Sequence, residues 1–420
     1  MQNQYWLYID PYVHISIKKN AVLFYNTYNG KILEYNSSSE VFKLARQLKS
    51  PRNLRLILLK ESDLELTPIK EFVDQIREHF MGDVIDVSYS DGKPIQMPPI
   101  VKNQKDVKYL KADKDRSVGE DLMYYLSEVS LYIDDSCNQN CSICAGAYRQ
   151  FPCCTARKKG NRELDIEHLR TFLEEIKNSS LVRLNILGGD IFRHSNFEKI
   201  LFLVESLPMD CIFYLHYLNA AENRNRLKIL AFDNIRLNIP ITFPVDEEKL
   251  NIALEAFADA ELETDFAFII QDEMDFQSAE ALTMKYKIEK PYFIPFYNGN
   301  NLNLFAENIY IDREDFESNR VSLKDIYSRG AVNSLFFGRL TILPNGRVYG
   351  NLNAPSIGIL GKHSIYEIIY KELALGKSWR KIRKNVMPCK RCTFEQLCPP
   401  ISNYNLVIGK YNLCHILSLR

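Results

Sequence analysis

Six short apolar runs, each separated from the next by a helical pattern, limit the fold of this 420-residue chain more than any other feature. The runs are strand candidates and lie at 128–134, 182–189, 211–218, 234–243, 264–270 and 291–297. Amphipathic patterns such as those at 165–179 and 246–260 predict helices between them. Strands that alternate with helices form βαβ units around a parallel sheet. The sequence therefore predicts an α/β fold, with a partial (β/α)6 barrel over 126–300.

Two motifs follow the first two predicted strands. Cys137, Cys141 and Cys144 form a CxxxCxxC that begins three residues after the first strand, and Gly188-Gly189-Asp190 follows the second. Barrels of parallel strands carry their chemistry at the carboxyl ends of the strands, where both motifs are expected. Paired glycines let a backbone approach a ligand closely, and a carboxylate can accept a hydrogen bond from an ammonium group.

The ten cysteines fall into two groups, and 177 residues without a cysteine precede the second. The second group lies near the C-terminus and comprises Cys389, Cys392, Cys398 and Cys414. In a reducing compartment such clusters are typical of metal ligands rather than of disulfides. Cys153 and Cys154 are expected to have no metal-binding role, and Cys211, at the start of a strand, is expected to lie in the core.

Composition excludes several classes of protein. The chain carries 53 basic and 53 acidic side chains, which gives no electrostatic footprint for nucleic acid or for an anionic membrane. It contains no apolar stretch of about 18 residues, so no membrane-spanning helix is expected. The first residues lack the pattern of a signal peptide, and a cytoplasmic location is predicted.

The segment Cys137-Asn-Gln-Asn-Cys141-Ser-Ile-Cys144, after the first strand of a βα array, resembles the radical S-adenosylmethionine (radical SAM) superfamily. The resemblance implies that the three thiolates hold a [4Fe–4S] cluster whose open iron binds S-adenosylmethionine (SAM), and that the reduced cluster cleaves SAM to a 5′-deoxyadenosyl radical. It also implies that Gly188, Gly189 and Asp190 bind the SAM amino group. The family usually has Glu in place of Asp190 and often an aromatic residue in place of Ile143.

The C-terminal cysteines resemble the SPASM extension of peptide-modifying radical SAM enzymes, whose full pattern has seven cysteines and two auxiliary clusters. Here Asn351 and Ser402 stand at two of the cysteine positions, and 330–336 lacks a third. The three missing cysteines would all serve the first auxiliary cluster. The resemblance therefore implies one auxiliary [4Fe–4S] cluster at the four remaining cysteines, and two clusters in all. A structural zinc site is the alternative for either group of cysteines, and buried thiols are a further one for the first group.

Residues 1–90 contain a predicted hairpin at 21–35 around Asn29-Gly30, helical patterns at 38–50 and 66–80, and a final strand. This outline resembles the winged-helix-like peptide-recognition module of enzymes that mature ribosomally made peptides, in which a leader peptide adds a strand to a sheet edge. A polar linker is predicted at 91–125.

The C-terminal region, 301–420, is predicted to form the SPASM-like, or twitch-like, iron–sulfur domain. It should contain a hairpin at 339–352 and a helix at 364–385, with the basic run 379–384 on a solvated face.

Together the resemblances predict a radical SAM peptide maturase that oxidatively modifies or cross-links a ribosomally synthesised precursor peptide, with a flavodoxin or ferredoxin as reductant. The alternative is a degenerate homologue that binds a peptide for another maturase. No side chain is assigned as catalytic acid or base. His194 and His216, near strand ends, are expected to pack or hydrogen-bond, and Arg193 is a candidate contact for the SAM carboxylate.

Overall fold

The computed structural model describes residues 3–99, 101, 122–139, 141–154, 162–177 and 179–416. The predicted linker at 91–125 lies largely outside these residues. Within the described ranges, no helix has the length and apolar character needed to cross a membrane.

The strands of the described chain are numbered in sequence order. They are β1 (Gln4–Ile9), β2 (Val13–Ile17), β3 (Ala21–Asn26), β4 (Ile32–Asn36), β5 (Leu56–Lys60), β6 (Gly82–Asp86), β7 (Glu128–Tyr132), β8 (Arg183–Leu187), β9 (Asp210–Tyr214), β10 (Ile235–Ile241), β11 (Thr264–Ile270), β12 (Tyr292–Pro295), β13 (Arg339–Ile342), β14 (Arg347–Tyr349) and β15 (Gly358–Ile359).

The helices are numbered in the same way. They are α1 (Glu40–Lys49), α2 (Glu61–Leu64), α3 (Thr67–Glu78), α4 (Ile166–Ile176), α5 (Phe197–Glu205), α6 (Tyr217–Glu222), α7 (Glu247–Asp259), α8 (Glu273–Tyr286), α9 (Leu302–Asn308), α10 (Glu314–Ser318), α11 (Leu323–Ala331), α12 (Ile365–Leu375) and α13 (Asn403–Ile408).

The six strands predicted between 126 and 300 are confirmed as β7 to β12. They lie side by side, in chain order, and every neighbouring pair is parallel. The sheet continues beyond β7, because β13 pairs with it in parallel and β14 and β15 follow. The barrel strands and the C-terminal hairpin therefore belong to one nine-stranded sheet.

The two faces of this sheet differ in chemistry, because successive side chains of a strand point to opposite faces. One face supplies apolar side chains to the largest core, among them Leu131, Ile186 and Phe213. On the other face Ser130 lies opposite Asn185, and Tyr214 lies opposite Asn238. That face is therefore polar, as expected of a surface that lines a binding site rather than a core.

The N-terminal region contains two antiparallel three-stranded sheets, β5-β1-β6 and β2-β3-β4. The predicted hairpin is confirmed as β3 and β4 around Asn29-Gly30, and α1 and α3 form where helices were predicted. Strands β1, β2 and β5 extend this predicted outline. The helices cover one face of β3 through contacts with Val22 and Phe24.

The other face of β3 packs against the C-terminal region. Leu23 and Tyr25 share a small core with Phe316 and Phe394. Near this core, Lys18 forms a 2.5 Å ion pair with Glu395. The N-terminal sheet is therefore seated on the segment that carries the C-terminal cysteines. This contact surface is called the seam below.

The C-terminal hairpin at 339–352 is confirmed as β13 and β14. The helix predicted at 364–385 is wrong in its second half, because α12 ends at Leu375 and the Gly376 N–H donates to the Glu372 carbonyl. The solvated face predicted at 379–384 is wrong as well. Arg383 is buried there, because its guanidinium donates to the carbonyls of Pro399 and Tyr411 at 2.6 and 2.7 Å.

Candidate functional site

The three N-terminal cysteines lie on the loop that leaves the carboxyl end of β7, as predicted. Asp134 accepts hydrogen bonds from the backbone N–H and the hydroxyl of Ser136, both at 2.6 Å, and so fixes the start of this loop. Cys137, Cys141 and Cys144 follow and are half-buried. The loop presents three thiols at the end of the barrel where chemistry is expected.

The Gly-Gly-Asp motif after β8 is built directly onto this cysteine loop. A Cβ on Gly189, whose φ is +37°, would lie 1.7 Å from the Ser136 carbonyl oxygen, and one on Gly188, whose φ is +150°, would lie 2.6 Å from the Asp134 nitrogen. The Asp190 N–H donates to the Ser136 carbonyl at 2.9 Å. Only glycine fits at 188 and 189, because both the backbone angles and the available space exclude a side chain.

Asp190 is buried and already has hydrogen-bond partners. Its carboxylate accepts from the Phe192 N–H at 3.2 Å and from the Asn223 amide at 3.4 Å. Burial raises the pKa of this carboxyl, and the two hydrogen bonds partly offset the shift. The predicted contact of Asp190 with an ammonium group stays a prediction.

Asn219 on α6 joins the two loops, and the sequence analysis missed it. It is fully buried, and its Nδ2 lies 3.1 Å from the Gly189 carbonyl and 4.0 Å from the Cys137 Sγ. Its Oδ1 accepts from Gln139 at 3.0 Å. The available signal was Asn219 itself, which with His216 interrupts the mostly apolar strand-to-helix run at 211–221.

His216 contacts the second cysteine. Its Nδ1 accepts from the Leu218 N–H at 3.3 Å, so its proton lies on Nε2, which is 3.7 Å from the Cys141 Sγ and 3.2 Å from the Thr242 hydroxyl. The hydrogen bond from the Cys144 thiol and the one from His216 lower the pKa of Cys141, against the opposing effect of burial. His216 thus supports a thiolate at Cys141, and it does so by hydrogen bonding, one of the two roles expected of it.

His194 behaves as expected and forms structural hydrogen bonds, with Nε2 3.1 Å from the Leu164 carbonyl.

Arg193 donates to the side chain of Asn138 and so braces the cysteine loop. Ile143 is buried beside Ile269 and Phe296. The position that is often aromatic in the resembled family is therefore a core position here.

Cys153 and Cys154 lie beside the cysteine loop. Both are buried, their sulfurs are 3.9 Å apart, and the Cys154 carbonyl accepts from the Gly189 N–H at 2.6 Å. The hydrogen bond with Cys153, burial, and the charges of Cys144 and Cys141 all raise the pKa of Cys154. Cys154 therefore holds the glycine motif in place through its main-chain carbonyl, a structural role that spacing did not indicate.

The four C-terminal cysteines also come together. Burial raises the pKa of Cys392 to about 11 and that of Cys398 to about 12. The charges of Cys414 and Cys389 add to both shifts, and the charge of Cys392 adds to the shift of Cys398. The thiols therefore lie within electrostatic range of one another. Arg383 approaches this group, with its guanidinium 3.5 Å from the Cys389 Sγ.

The three places where the SPASM pattern lacks cysteines converge in space. Asn333, inside 330–336, donates to the Ile401 carbonyl at 2.8 Å, next to Ser402. Asn351 donates to the Asn403 side chain, also at 2.8 Å. Asparagine amides thus connect the positions at which the resembled family would hold another cluster.

A cleft of about 100 Å³ adjoins Asn351 and Asn403. Its floor is the polar face of the sheet near β7 and β13, where Glu128 receives a 2.9 Å hydrogen bond from Asn185 and pairs with Arg339 at 3.3 Å. Helix α13 lies across the sheet, because the Tyr404 hydroxyl donates to the carbonyl of Pro295, at the end of β12, at 2.7 Å.

In the described part of the chain, no group of three or more His, Cys, Asp or Glu side chains could hold a single metal ion. An iron–sulfur cube makes a different demand, because its thiolates bind separate irons. A zinc ion instead draws every sulfur to within about 2.3 Å of one centre.

No protein-family model matches the chain, and no curated protein matches it in sequence. Among solved structures, SuiB of Streptococcus suis bound to the precursor peptide SuiA is similar, with 11% identity, a TM-score of 0.43, and coverage of 97% of this chain and 98% of that one. SuiB bound to S-adenosylmethionine gives 11% identity and a TM-score of 0.42, with 97% of each chain covered.

The structure of anSMEcpe with bound AdoMet and the Kp18Cys peptide is also similar. It is 15% identical, with a TM-score of 0.45, and the match covers 70% of this chain and 98% of that one. These structures thus include proteins bound to S-adenosylmethionine, to a peptide, or to both.

Proposed function

We propose that this chain is a radical SAM peptide maturase, which reductively cleaves SAM and oxidatively modifies or cross-links a ribosomally synthesised precursor peptide. One observation carries the proposal. The glycine motif at 188 and 189 is fitted so tightly onto the loop before Cys137 that neither position has room for a Cβ. The cysteine loop and the glycine motif therefore lie side by side at the carboxyl ends of two adjacent parallel strands. This arrangement suits a cofactor held by the cysteine loop and a ligand bound beside it by the glycine motif.

Cys137, Cys141 and Cys144 are proposed to hold a [4Fe–4S] cluster. Their donor set fits, because three half-buried thiols share one loop and the amide of Asn219 and the imidazole of His216 approach two of the sulfurs. Hydrogen bonds to the ligand sulfurs stabilise negative charge and help to set the reduction potential of such a centre. When bound and reduced, the cluster supplies the electron that cleaves SAM.

The remaining residues of the site have positioning roles in this proposal. The backbone of Gly188 and Gly189, with the Asp190 carboxylate, binds the SAM amino group. Arg193 and Asn219 hold the cysteine loop against that motif through their contacts with Asn138 and Gly189. Ile143 and its apolar neighbours exclude water from one side of the cysteine loop.

Cys389, Cys392, Cys398 and Cys414 are proposed to hold the single auxiliary cluster. Burial favours a centre that is closed to solvent, and Arg383 provides a positive charge beside it. The N-terminal region, 1–90, is proposed to recognise the leader of the precursor peptide at a sheet edge. A flavodoxin or ferredoxin is proposed as the electron donor.

The test is reductive cleavage of SAM. The chain is purified without oxygen, reconstituted with iron and sulfide, reduced and incubated with SAM, with and without any short peptide found to be encoded beside its gene. Formation of 5′-deoxyadenosine by the intact chain, its loss in Cys141→Ala, and its retention in the matched core variant Cys211→Ala are expected. A mass change in the peptide identifies the modification.

Two other outcomes are informative. If iron is bound but no 5′-deoxyadenosine forms with or without peptide, the enzyme assignment is wrong and the degenerate peptide-binding homologue is the correct assignment. If the purified chain holds zinc and rejects iron, both cluster assignments are wrong. Two cubes require about eight irons per chain, a stoichiometry that a zinc protein cannot give.

A further inference from the structure

In one wall of the cleft beside α13, hydrogen bonds within the protein fix the orientation of the side-chain amides. Asn353 donates its backbone N–H to the Oδ1 of Asn351 at 2.7 Å. A backbone N–H can only donate, so the Asn351 amide must point its oxygen at Asn353 and its Nδ2 the other way. That Nδ2 donates to the Oδ1 of Asn403 at 2.8 Å. The orientation of both side-chain amides follows from one main-chain contact.

The second donor to Asn403 confirms this orientation. The Asn353 Nδ2 lies 3.2 Å from the same Asn403 Oδ1, and 2.8 Å from the Arg149 carbonyl on the turn that follows the cysteine loop. Two donors converge on one oxygen, so Asn403 cannot be rotated to present its nitrogen there. Its Nδ2 therefore points elsewhere, and within the described part of the chain it donates to no other group.

The surroundings indicate what this free donor meets. Asn403 lines the cleft together with Tyr132, Tyr148, Phe151 and Phe336. Tyr132 is the last residue of β7. Phe151 shares a small core with Ile143, which lies in the sequence between Cys141 and Cys144. A ligand in the cleft would therefore contact aromatic rings on one side and the Asn403 amide on another. Its end at Tyr132 and Phe151 would lie close to the cysteine loop.

The cleft has a volume of about 100 Å³, below the range of about 300–1,000 Å³ that is typical of sites for whole small molecules, so it suits a single side chain of a longer ligand. An amide donor paired with aromatic walls matches a peptide segment, which offers a carbonyl acceptor every residue and an apolar side chain beside it. A nucleic acid would need cationic groups for its phosphates, and the cation on the floor, Arg339, is already paired with Glu128.

We propose that Asn403, oriented by Asn351 and Asn353, binds a main-chain carbonyl of the substrate peptide next to an aromatic side chain held in the cleft. The asparagines that stand where another cluster would be expected thus form a substrate subsite. The inference rests on the proposed function only for the origin of the peptide. It concerns binding, and no electron or proton transfer is involved.

The sharpest variant is Asn403→Asp. Aspartate keeps the oxygen that accepts from Asn351 and Asn353, and it suits the first turn of a helix, so the fold should persist. It removes the Nδ2 donor and sets a negative charge against a carbonyl oxygen. The matched control is Asn319→Ala, at an exposed asparagine outside the cleft.

The probe is acetyl-Ala-Phe-Ala methylamide, whose binding to the iron-loaded chain is followed by saturation-transfer NMR. The expected result is millimolar binding to the wild type and to Asn319→Ala, and about tenfold weaker binding to Asn403→Asp, the range that one hydrogen bond spans. Equal binding to Asn403→Asp, or no binding to the wild type, overturns the inference.

A second probe needs no variant. This probe is an ester analogue of the peptide, in which an ester replaces the amide after Phe and makes that carbonyl a weaker hydrogen-bond acceptor. The wild type should bind the ester more weakly than the amide. The difference in affinity between the two probes should be smaller for Asn403→Asp. Equal affinity of the wild type for both probes also overturns the inference. SAM cleavage is measured in parallel. If cleavage persists without this binding contrast, only the subsite is wrong; if the contrast persists without cleavage, only the proposed enzyme activity is wrong.

Discussion

Tyr25 on β3 donates its hydroxyl proton to the carbonyl of Phe316 at 3.1 Å, across 291 residues of sequence, and accepts from the Val321 N–H at 2.8 Å. The tyrosine is fully buried, so both contacts are shielded from water. Thr393 adds a 2.7 Å hydrogen bond to Glu34 on the same seam. The region proposed to recognise a leader peptide and the region proposed to hold the auxiliary cluster therefore share a core.

Tyr25→Phe tests the seam. The change leaves the Phe316 carbonyl and the Val321 N–H buried without a partner, which costs about 1–3 kcal/mol for an unsatisfied group. We expect a lower midpoint of urea unfolding and faster proteolysis within 313–321. Tyr89→Phe, at a tyrosine that is 85% exposed, is the control and should match the wild type. An unchanged midpoint for Tyr25→Phe would mean that the seam does not contribute to stability.

Gly189→Ala tests the construction of the cysteine loop. The new Cβ would lie 1.7 Å from the Ser136 oxygen, so the loop before Cys137 must move. Because strained backbone costs about 1–3 kcal/mol, we expect SAM binding, measured by calorimetry on the iron-loaded chain, to weaken by about tenfold or more. Gly92→Ala has a similar requirement for positive φ but open space around it, and should bind SAM normally. Normal binding by Gly189→Ala would contradict the proposed site.

Iron content tests the auxiliary centre. The double variant Cys392→Ala/Cys398→Ala should fall from about eight irons per chain to about four, because one cube is lost and the other is kept. Both cysteines also contribute to the seam core, so the unfolding midpoint should fall as well. Cys211→Ala, in the barrel core, should keep about eight irons. Retention of about eight irons by the double variant would show that these cysteines hold no cluster.

Acid sensitivity is predicted from His14 on β2. Burial, together with the charges of Lys49, Arg55 and Lys18, lowers the pKa of this imidazole from 6.5 to about 3. Between these values the unfolded chain binds a proton that the folded chain does not, so stability falls as the pH falls from about 6.5 toward 3.

His14→Gln removes this titration, and its unfolding midpoint should fall less between pH 7 and pH 5 than that of the wild type. His363→Gln, at an exposed histidine, should follow the wild type over the same range. Parallel curves for His14→Gln and the wild type would show that His14 is not the group responsible.

The barrel was predictable from sequence because the signals that define its strands lie within short stretches of the chain. Each of the six strands is a short apolar run between turn residues, and the Asn345-Gly346 pair marks the C-terminal hairpin at the position where it forms. The end of α12 was also readable, since Gly376 is a common kind of helix stop. The prediction of one helix over 364–385 therefore runs past a stop that the sequence itself contains.

The contacts that assemble the site were not predictable, because they depend on tertiary neighbours. Asn219 reaches Gly189 only because β8 and β9 are adjacent, and Arg383 is buried because the carbonyls of Pro399 and Tyr411 converge on it. Cys154 acts through its carbonyl, which no cysteine pattern can reveal. Motifs identified the cysteines and glycines, while the polar side chains that hold them together required the fold.

The C-terminal region touches both margins of the six-stranded array, through β13 at β7 and through Tyr404 at the end of β12. The two attachments differ in kind, because the one at β7 is a ladder of main-chain hydrogen bonds and the one at β12 passes through a side-chain hydrogen bond from Tyr404. Separation of the C-terminal region from the six strands should therefore begin at the β12 margin and leave the β7 margin closed.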